Sequence, residues 1–270
     1  MFLFRPPAML GSDNPRVFFG EAPKAAEQWA GKRLLSVDDR PAFELSFWCG
    51  TCQFLFERLE GANETLSLAA TQEVLRNGID DIDDDIVGAF SELLQRGEYL
   101  PMLIEFVPEL TEPAAAADYF AHEQVDTWGK EPFWDLPISP HSPYYRTFAT
   151  SVDDEAHLYE FVVPMVPPSW NDRTTIADYA ASMTSGEVPT AVAVSTLDVC
   201  APADGRPGLD WYWHWGLTHF LLDGHHKLEA AAQIGAPVRL LSLISIDNSL
   251  ASREQVQRVP RLRGQVLSQR

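Results

Sequence analysis

Residues 220–229 read FLLDGHHKLE, and the predicted fold depends most on this stretch. An apolar run typical of a β-strand ends at Asp223, and Gly224 permits a tight turn with a positive φ. Helical spacing follows over 228–234. The first N–H groups of a helix have no partner inside it, and the helix dipole places partial positive charge there. Such a turn predicts an anion-binding site. Three nitrogen-bearing side chains stand beside it: His225, His226 and Lys227.

The elements around this turn predict an α+β fold. The runs 190–199 and 211–222 are apolar or aromatic and favour strands before the turn. Gly235 ends the helix that follows the turn, and 238–246 favours a further strand. The C-terminal part of the chain is therefore predicted to contain a β–turn–α–β unit with additional strands.

A stretch rich in proline and aromatic residues, 128–146, suggests a boundary within the chain. We expect an N-terminal mixed α/β region over 1–150, an α/β domain over 151–250 and a basic tail over 251–270. The first 45 residues look irregular because proline and glycine interrupt them.

Within the N-terminal region, three segments have the spacing of regular elements. Helices are expected at 64–76 and 84–95, and a buried strand is expected at 100–107.

The charge of the chain bears on its partners. The formal net charge is −19, whereas DNA binding requires a basic surface, so DNA is not an expected partner. The segment 251–270 has five arginines against one glutamate, and it could bind an anionic partner or fold back onto the acidic body.

The sequence also bears on location. It contains no run of eighteen apolar residues, so we expect no membrane span. Three cysteines are too few for a disulfide framework, and we expect a protein of the reducing cytoplasm.

In the order strand, DGHHKLEAA, helix, glycine and strand, residues 223–246 resemble the ParB/sulfiredoxin-like superfamily. Domains of that superfamily carry a D/G-G-x-H-R-x-E-A motif at the start of a helix. Many also have an earlier strand that enters through a proline, and 188–199 is similar. The resemblance implies that the turn and the helix N-terminus hold a nucleotide, such as ATP with Mg²⁺, or another small phosphate ligand.

The resemblance also implies roles for individual residues. Gly224 would be the loop glycine, His226 the motif histidine and Glu229 the motif acid. Lys227 stands where arginine is usual, and lysine cannot form the bidentate arginine contact with phosphate. His225 occupies the position of the sulfiredoxin catalytic cysteine, so a sulfiredoxin reaction is not expected. A partition role is not expected either, because only about twenty residues follow, where partition proteins carry a DNA-binding region.

The motif is compatible with two interpretations. In the first, the domain binds a nucleotide or phosphate through Asp223 to Lys227. Phosphoryl transfer or nucleotide hydrolysis would then use His226 and Glu229. In the second, a non-enzymatic regulatory or interaction protein keeps the fold. Asp223 would then be a turn former, and His226 and Glu229 would pair across one helical turn.

A second motif, Trp48-Cys49-Gly50-Thr51-Cys52, suggests three alternatives. Cys49 and Cys52 could form a redox pair, supply two zinc ligands or be buried structural thiols. Zinc would need further ligands, and three are available only through long-range folding: Cys200, His214 and His219.

The segment 80–85 contains five aspartates. They could collect Mg²⁺ or Ca²⁺, but the glycine and glutamate spacing of an EF-hand loop is lacking. The pattern favours a solvated turn whose last acids stabilise the start of the next helix.

Aromatic residues and histidines are dense just before the DGHHK turn. Alternation in a strand would put Trp211, Trp213 and Trp215 on one face. The aromatic side chains could stack on a base or pack in the core. Four histidines lie within thirteen residues and could together bind a metal: His214, His219, His225 and His226.

Overall fold

A computed structural model of the chain describes residues 1–22, 31–46, 53–129, 140–201 and 212–267. The strands are β1 Phe2–Phe4, β2 Ala8–Leu10, β3 Val17–Glu21, β4 Arg33–Val37, β5 Arg40–Leu45, β6 Phe56–Arg58, β7 Gly97–Phe106, β8 Glu109–Thr111, β9 Tyr144–Asp153, β10 Ala156–Pro164, β11 Thr190–Cys200, β12 Trp213–Asp223 and β13 Val238–Ser245. The helices are α1 Gln72–Asn77, α2 Asp84–Ser91, α3 Glu123–Trp128, α4 Arg173–Thr184, α5 His225–Ile234 and α6 Arg253–Leu267.

These strands form two sheets. The larger is mixed, in the order β1-β7-β13-β11-β12-β10-β9-β8, and β2 also pairs with β7. In its centre, β11 lies parallel to β13 and antiparallel to β12, which lies parallel to β10. The smaller sheet is antiparallel, in the order β3-β4-β5-β6. The predicted α+β class is confirmed.

Both faces of the large sheet are covered. The small sheet and α2 pack on one face, where Phe43 and Phe90 join the core. Helices α4, α5 and α6 pack on the other face through Ile176, Leu228 and Val259. Because both faces are covered, every residue of β11 is buried, which is consistent with its largely apolar sequence.

The unit around the DGHHK turn has the predicted order. Strand β12 ends at Asp223, α5 begins at His225 and ends at Ile234, and β13 follows. The earlier strand predicted after a proline is β11, which begins directly after Pro189. These four element predictions are confirmed.

The N-terminal region differs from the sequence prediction. The stretch predicted to be irregular contains β1 to β5, because long-range pairing stabilises strands that local sequence does not reveal. The helix expected at 64–76 is restricted to α1, after a short 3₁₀ turn at Ala69–Thr71. The Leu66 N–H donates to the Leu222 carbonyl, 2.9 Å away, so this part of the segment lies along the end of β12 instead of winding into a helix.

The expected boundary at residue 150 does not coincide with a break in the sheet. Strand β9 crosses this position, and β7 pairs with β13. The basic segment forms α6, which folds back onto the body and buries Val259 and Leu262. Within the described ranges, no helix has the length and apolarity that crossing a membrane requires.

Candidate functional site

A cleft of about 630 Å³ lies beside the DGHHK turn, where β12 ends. Its walls come from three parts of the chain: the 65–76 segment that includes α1, the α4 residues Thr175 and Tyr179, and the turn 223–227. The five motif residues from Asp223 to Lys227 are therefore brought together at one opening. The N-terminal region contributes a wall of the same cleft.

Gly224 sets the geometry of the turn. Its φ is 105°, which is rarely adopted by residues with a side chain, and an added Cβ would lie 2.5 Å from the Ala191 Cβ. Gly224 is the N-cap of α5 and supplies no side-chain cap to the first N–H groups of that helix. The positive end of the helix dipole therefore lies at the cleft wall without a capping side chain.

Lys227 points into the protein and makes a buried ion pair. Its Nζ donates to Asp223 Oδ2 at 2.7 Å and to the Thr190 carbonyl at 2.8 Å, and the residue is only 3% exposed. Burial lowers the pKa of Lys227, while the Asp223 charge opposes that effect. The other carboxylate oxygen of Asp223 accepts a hydrogen bond from Ser67 Oγ at 2.5 Å. This arrangement ties α5 to β11 and β12 and commits the ammonium group to protein partners.

The two histidines are held by backbone N–H groups. Met165 N–H donates to His225 Nε2, and Asp172 N–H donates to His226 Nε2, each at 3.0 Å. Burial lowers the pKa of His225 to about 3, and partial burial lowers the pKa of His226. Both rings are therefore neutral near pH 7, and because each accepts at Nε2, its proton is assigned to Nδ1.

Glu229 connects two helices. Its carboxylate accepts a hydrogen bond from Asn171 Nδ2 at 2.7 Å and forms an ion pair with Arg173, and the residue is 5% exposed. Gln233 Nε2 also donates to it at 3.2 Å. These contacts join α5 to the start of α4, and the partners of Glu229 are these three residues rather than His226.

Arg76 is a cleft residue that sequence reasoning missed. It lies exposed in the last turn of α1, and its guanidinium is 5.1 Å from the centre of the Tyr179 ring. An arginine at the end of a short helix is typical of any protein surface, so nothing in the sequence marks Arg76 as a cleft residue. Only the docking of α1 beside β11 brings Arg76 near the turn.

The four histidines that the sequence offered as possible metal ligands each have hydrogen-bond partners of their own. His214 contacts Tyr119 and Thr127, whereas His219 Nδ1 contacts Ser195 Oγ at 2.7 Å. Among the residues that the structure describes, no group of three His, Cys, Asp or Glu side chains is placed to hold a metal ion.

Of the three cysteines, one lies within the described residues. Cys49 and Cys52 lie outside the described residues. Cys200 is a buried free thiol, and burial raises its pKa far above the usual range.

The aspartates at 80–85 have structural partners. Asp83 caps α2 by accepting from the N–H groups of Asp85 and Ile86, at 2.8 and 3.1 Å. Asp80 forms an ion pair with Arg239 at 2.7 Å. The last acids of this segment therefore lie at the start of α2, as the interpretation of a solvated turn before a helix predicted.

The aromatic run before the turn alternates as expected over its described part. Trp215 packs in the core on the α4–α6 side, and Tyr212 and His214 stack at 4.5 Å on the other side. Trp211 lies outside the described residues.

Comparison with known proteins identifies no relative: no family model, no curated protein and no solved structure matches the chain. The geometry itself defines the class of site, an open cleft in which a helix N-terminus and a nearby arginine face the same space.

Proposed function

We propose that the protein binds a phosphate-bearing small molecule, of which nucleotides are the first class to test, in the cleft at the N-terminus of α5. The observation that carries this proposal is the convergence of two positive features on one cleft. One is the first turn of α5 behind Gly224, and the other is the Arg76 guanidinium. Helix N-termini and arginine are both suited to phosphate oxygens.

The charge balance of the cleft supports this assignment. Because Lys227 and Asp223 pair with each other, their charges largely cancel at the cleft wall. Arg76 and the α5 dipole then supply the attraction for an anion, while Glu73 is an acid that could approach Mg²⁺ on a bound nucleotide. The volume of about 630 Å³ lies within the range of small-molecule sites.

The resemblance to the ParB/sulfiredoxin-like superfamily gives further support. The order β11, β12, turn, α5 and β13 is the order that the resemblance implies, with the cleft at the motif turn. We extend the proposal to a nucleotide-binding unit of that type in a cytoplasmic protein. Lys227 does not take the expected phosphate contact in this proposal, and Arg76 takes it instead.

A thermal-shift experiment tests the proposal. ATP, CTP and ADP are each added with Mg²⁺, and a ligand at about 100 times its Kd stabilises the folded state by about 2.7 kcal/mol. We expect stabilisation by at least one nucleotide and its loss in Arg76→Ala. Arg96→Ala is the matched control, because Arg96 is exposed, pairs with Asp13 and lies outside this cleft. No stabilisation by any of the three nucleotides would contradict the assignment of a nucleotide as the ligand.

One observation favours a second function, a regulatory protein that binds the ligand without turning it over. Glu229, the acid that the resemblance would make catalytic, is occupied by Asn171 and Arg173. Nucleotide binding with no release of phosphate and no covalent product over hours would support this version.

A further inference from the structure

We propose that the protein phosphorylates itself on Ser67, with Asp223 as the general base and a nucleoside triphosphate in the cleft as the phosphoryl donor. This inference rests on the proposed function, because the donor must occupy the cleft at α5. It adds a covalent step, a named acceptor and a modification site in the N-terminal region of the chain.

The acceptor and the base are already in contact. Ser67 Oγ donates to Asp223 Oδ1 at 2.5 Å, the short distance typical of a hydroxyl bound to a carboxylate. Ser67 is exposed and lines the cleft, so a phosphorus atom can approach its oxygen from the ligand side. A hydroxyl whose proton is held by a carboxylate is the arrangement that kinase active sites use for the attacking group.

Contacts on either side keep the pair in place. The Leu66 N–H donates to the Leu222 carbonyl at 2.9 Å, which fixes the backbone next to Ser67 against the end of β12. Lys227 Nζ holds the opposite oxygen of Asp223 at 2.7 Å. Both partners are therefore oriented before a ligand arrives, which lowers the entropic cost of reaching the reactive geometry.

The same cleft offers positive charge for the transferred group. The first turn of α5 begins at His225, directly after the N-cap Gly224, and Arg76 lines the same cleft. Phosphoryl transfer depends mainly on positioning and on stabilising charge on the phosphoryl oxygens. Nucleophile, base and stabilising charges thus surround one space.

The step balances as an ordinary phosphoryl transfer. Ser67 Oγ forms a bond to the γ-phosphorus of the nucleoside triphosphate, and the bond from that phosphorus to the β,γ-bridging oxygen breaks. The Ser67 proton moves to Asp223 Oδ1. The products are phosphoserine 67 and a nucleoside diphosphate.

The test uses the full chain, incubated with Mg²⁺ and ATP labelled in the γ-phosphate. We expect one phosphoryl group per chain, mapped to Ser67 by peptide mass spectrometry, and complete loss of incorporation in Ser67→Ala. Ser151→Ala is the matched control, since Ser151 is an exposed serine on β9 outside the cleft, and it should incorporate as the wild type does. An unlabelled wild type, or a Ser67→Ala protein that keeps the label, would overturn the inference.

The role of Asp223 needs a variant that does not leave Lys227 buried without its partner. Asp223→Asn combined with Lys227→Met removes both charges of the pair, and circular dichroism checks that it folds. We expect incorporation to slow by about 10²–10⁴-fold, the usual contribution of a general base. A folded double variant that reacts at the wild-type rate would contradict the role of Asp223.

Nucleotide-induced thermal shifts of the wild type and Ser67→Ala separate the two proposals. Stabilisation of both proteins without labelling of the wild type would reject self-phosphorylation and leave the proposed function standing. An absence of stabilisation together with an absence of labelling would reject both.

Discussion

At Gly224 the backbone adopts a conformation that places the start of α5 against β11. Its φ is 105°, and an added Cβ would lie 2.5 Å from the Ala191 Cβ, so both the backbone conformation and the available space exclude a side chain here. A methyl group there would strain the backbone and push the helix away from the strand, so the cleft wall would move as well.

We therefore expect Gly224→Ala to lower the free energy of unfolding by more than about 2 kcal/mol, from backbone strain and overpacking combined. Gly235→Ala is the matched control, because Gly235 also has a positive φ, 65°, but no atom lies within 4 Å of its added Cβ. The control should lose only about 1 kcal/mol. Urea unfolding measures both, and equal losses would show that the contact with Ala191 does not matter.

His225 predicts how stability depends on pH. Burial lowers its pKa to about 3 in the folded protein, whereas an unfolded histidine has a pKa near about 6.5. Between these values the unfolded chain binds more protons, so this contribution is complete above about pH 6.5 and stability falls as the pH drops towards 3. The slope from one such histidine is about 1.4 kcal/mol per pH unit.

The variant His225→Gln keeps an oxygen that can accept from the Met165 N–H but does not titrate. We expect its unfolding free energy to depend less steeply on pH than that of the wild type between about pH 4 and pH 6. Urea titrations at several pH values measure this slope. His214, whose pKa burial also lowers to about 3, contributes a separate slope that should remain.

Among the elements, α6 shows how a charged segment becomes part of the core. Arg263 Nε donates to Glu160 Oε2 at 2.7 Å, and the two residues are 5% and 0% exposed. Burial alone would raise the pKa of the Glu160 carboxyl, but Arg263 and the neighbouring His219 together outweigh burial and hold that pKa well below its usual range.

Removing Arg263 should therefore be costly. We expect Arg263→Met to destabilise the protein by about 3–5 kcal/mol, because the Glu160 charge would remain buried after losing its arginine partner. Arg253→Met is the matched control on the same helix, since Arg253 pairs with Glu98 at the surface and should change stability little. Chemical denaturation of both variants decides the point, and similar losses would argue against a special role for the buried pair.

At the scale of secondary-structure elements, one part of this site was predictable from the sequence and another was not. The unit from β12 to β13 was predictable, because apolar runs, two glycines and helical spacing all favoured the same structure. The inward orientation of the Lys227 side chain was not predictable. A sequence shows the charge of a residue but not its burial beside Asp223. Ser67 and Arg76 were not predictable as cleft residues either, because the pairing of Leu66 with Leu222 and the docking of α1 arise only in the tertiary fold.

At the scale of the whole molecule, the large sheet interleaves early and late parts of the chain. Strands β10 to β13 form its middle, while β7 and β9 flank them as direct partners. The cleft has the same composite origin, since α1 supplies Arg76.

A fragment that comprises residues 151–270 should therefore not fold by itself. It would lack β7 and most of β9, so both edges of its sheet would be unpaired and the face under β3 to β6 would be exposed to water. We expect no cooperative thermal transition by circular dichroism and no dispersed amide signals by NMR. A cooperative transition in this fragment would show that the C-terminal region is an independent domain.

The strand order has a consequence for synthesis on the ribosome. The chain emerges from its N-terminus, so β7 and β9 are made before the strands that separate them in the finished sheet. Until residues 156–245 have been translated, each flanking strand keeps an unpaired edge, and the small sheet lacks the surface that buries its apolar face. The nascent chain can therefore close its core only after residue 245 has been translated, and until then its open edges are natural binding sites for chaperones.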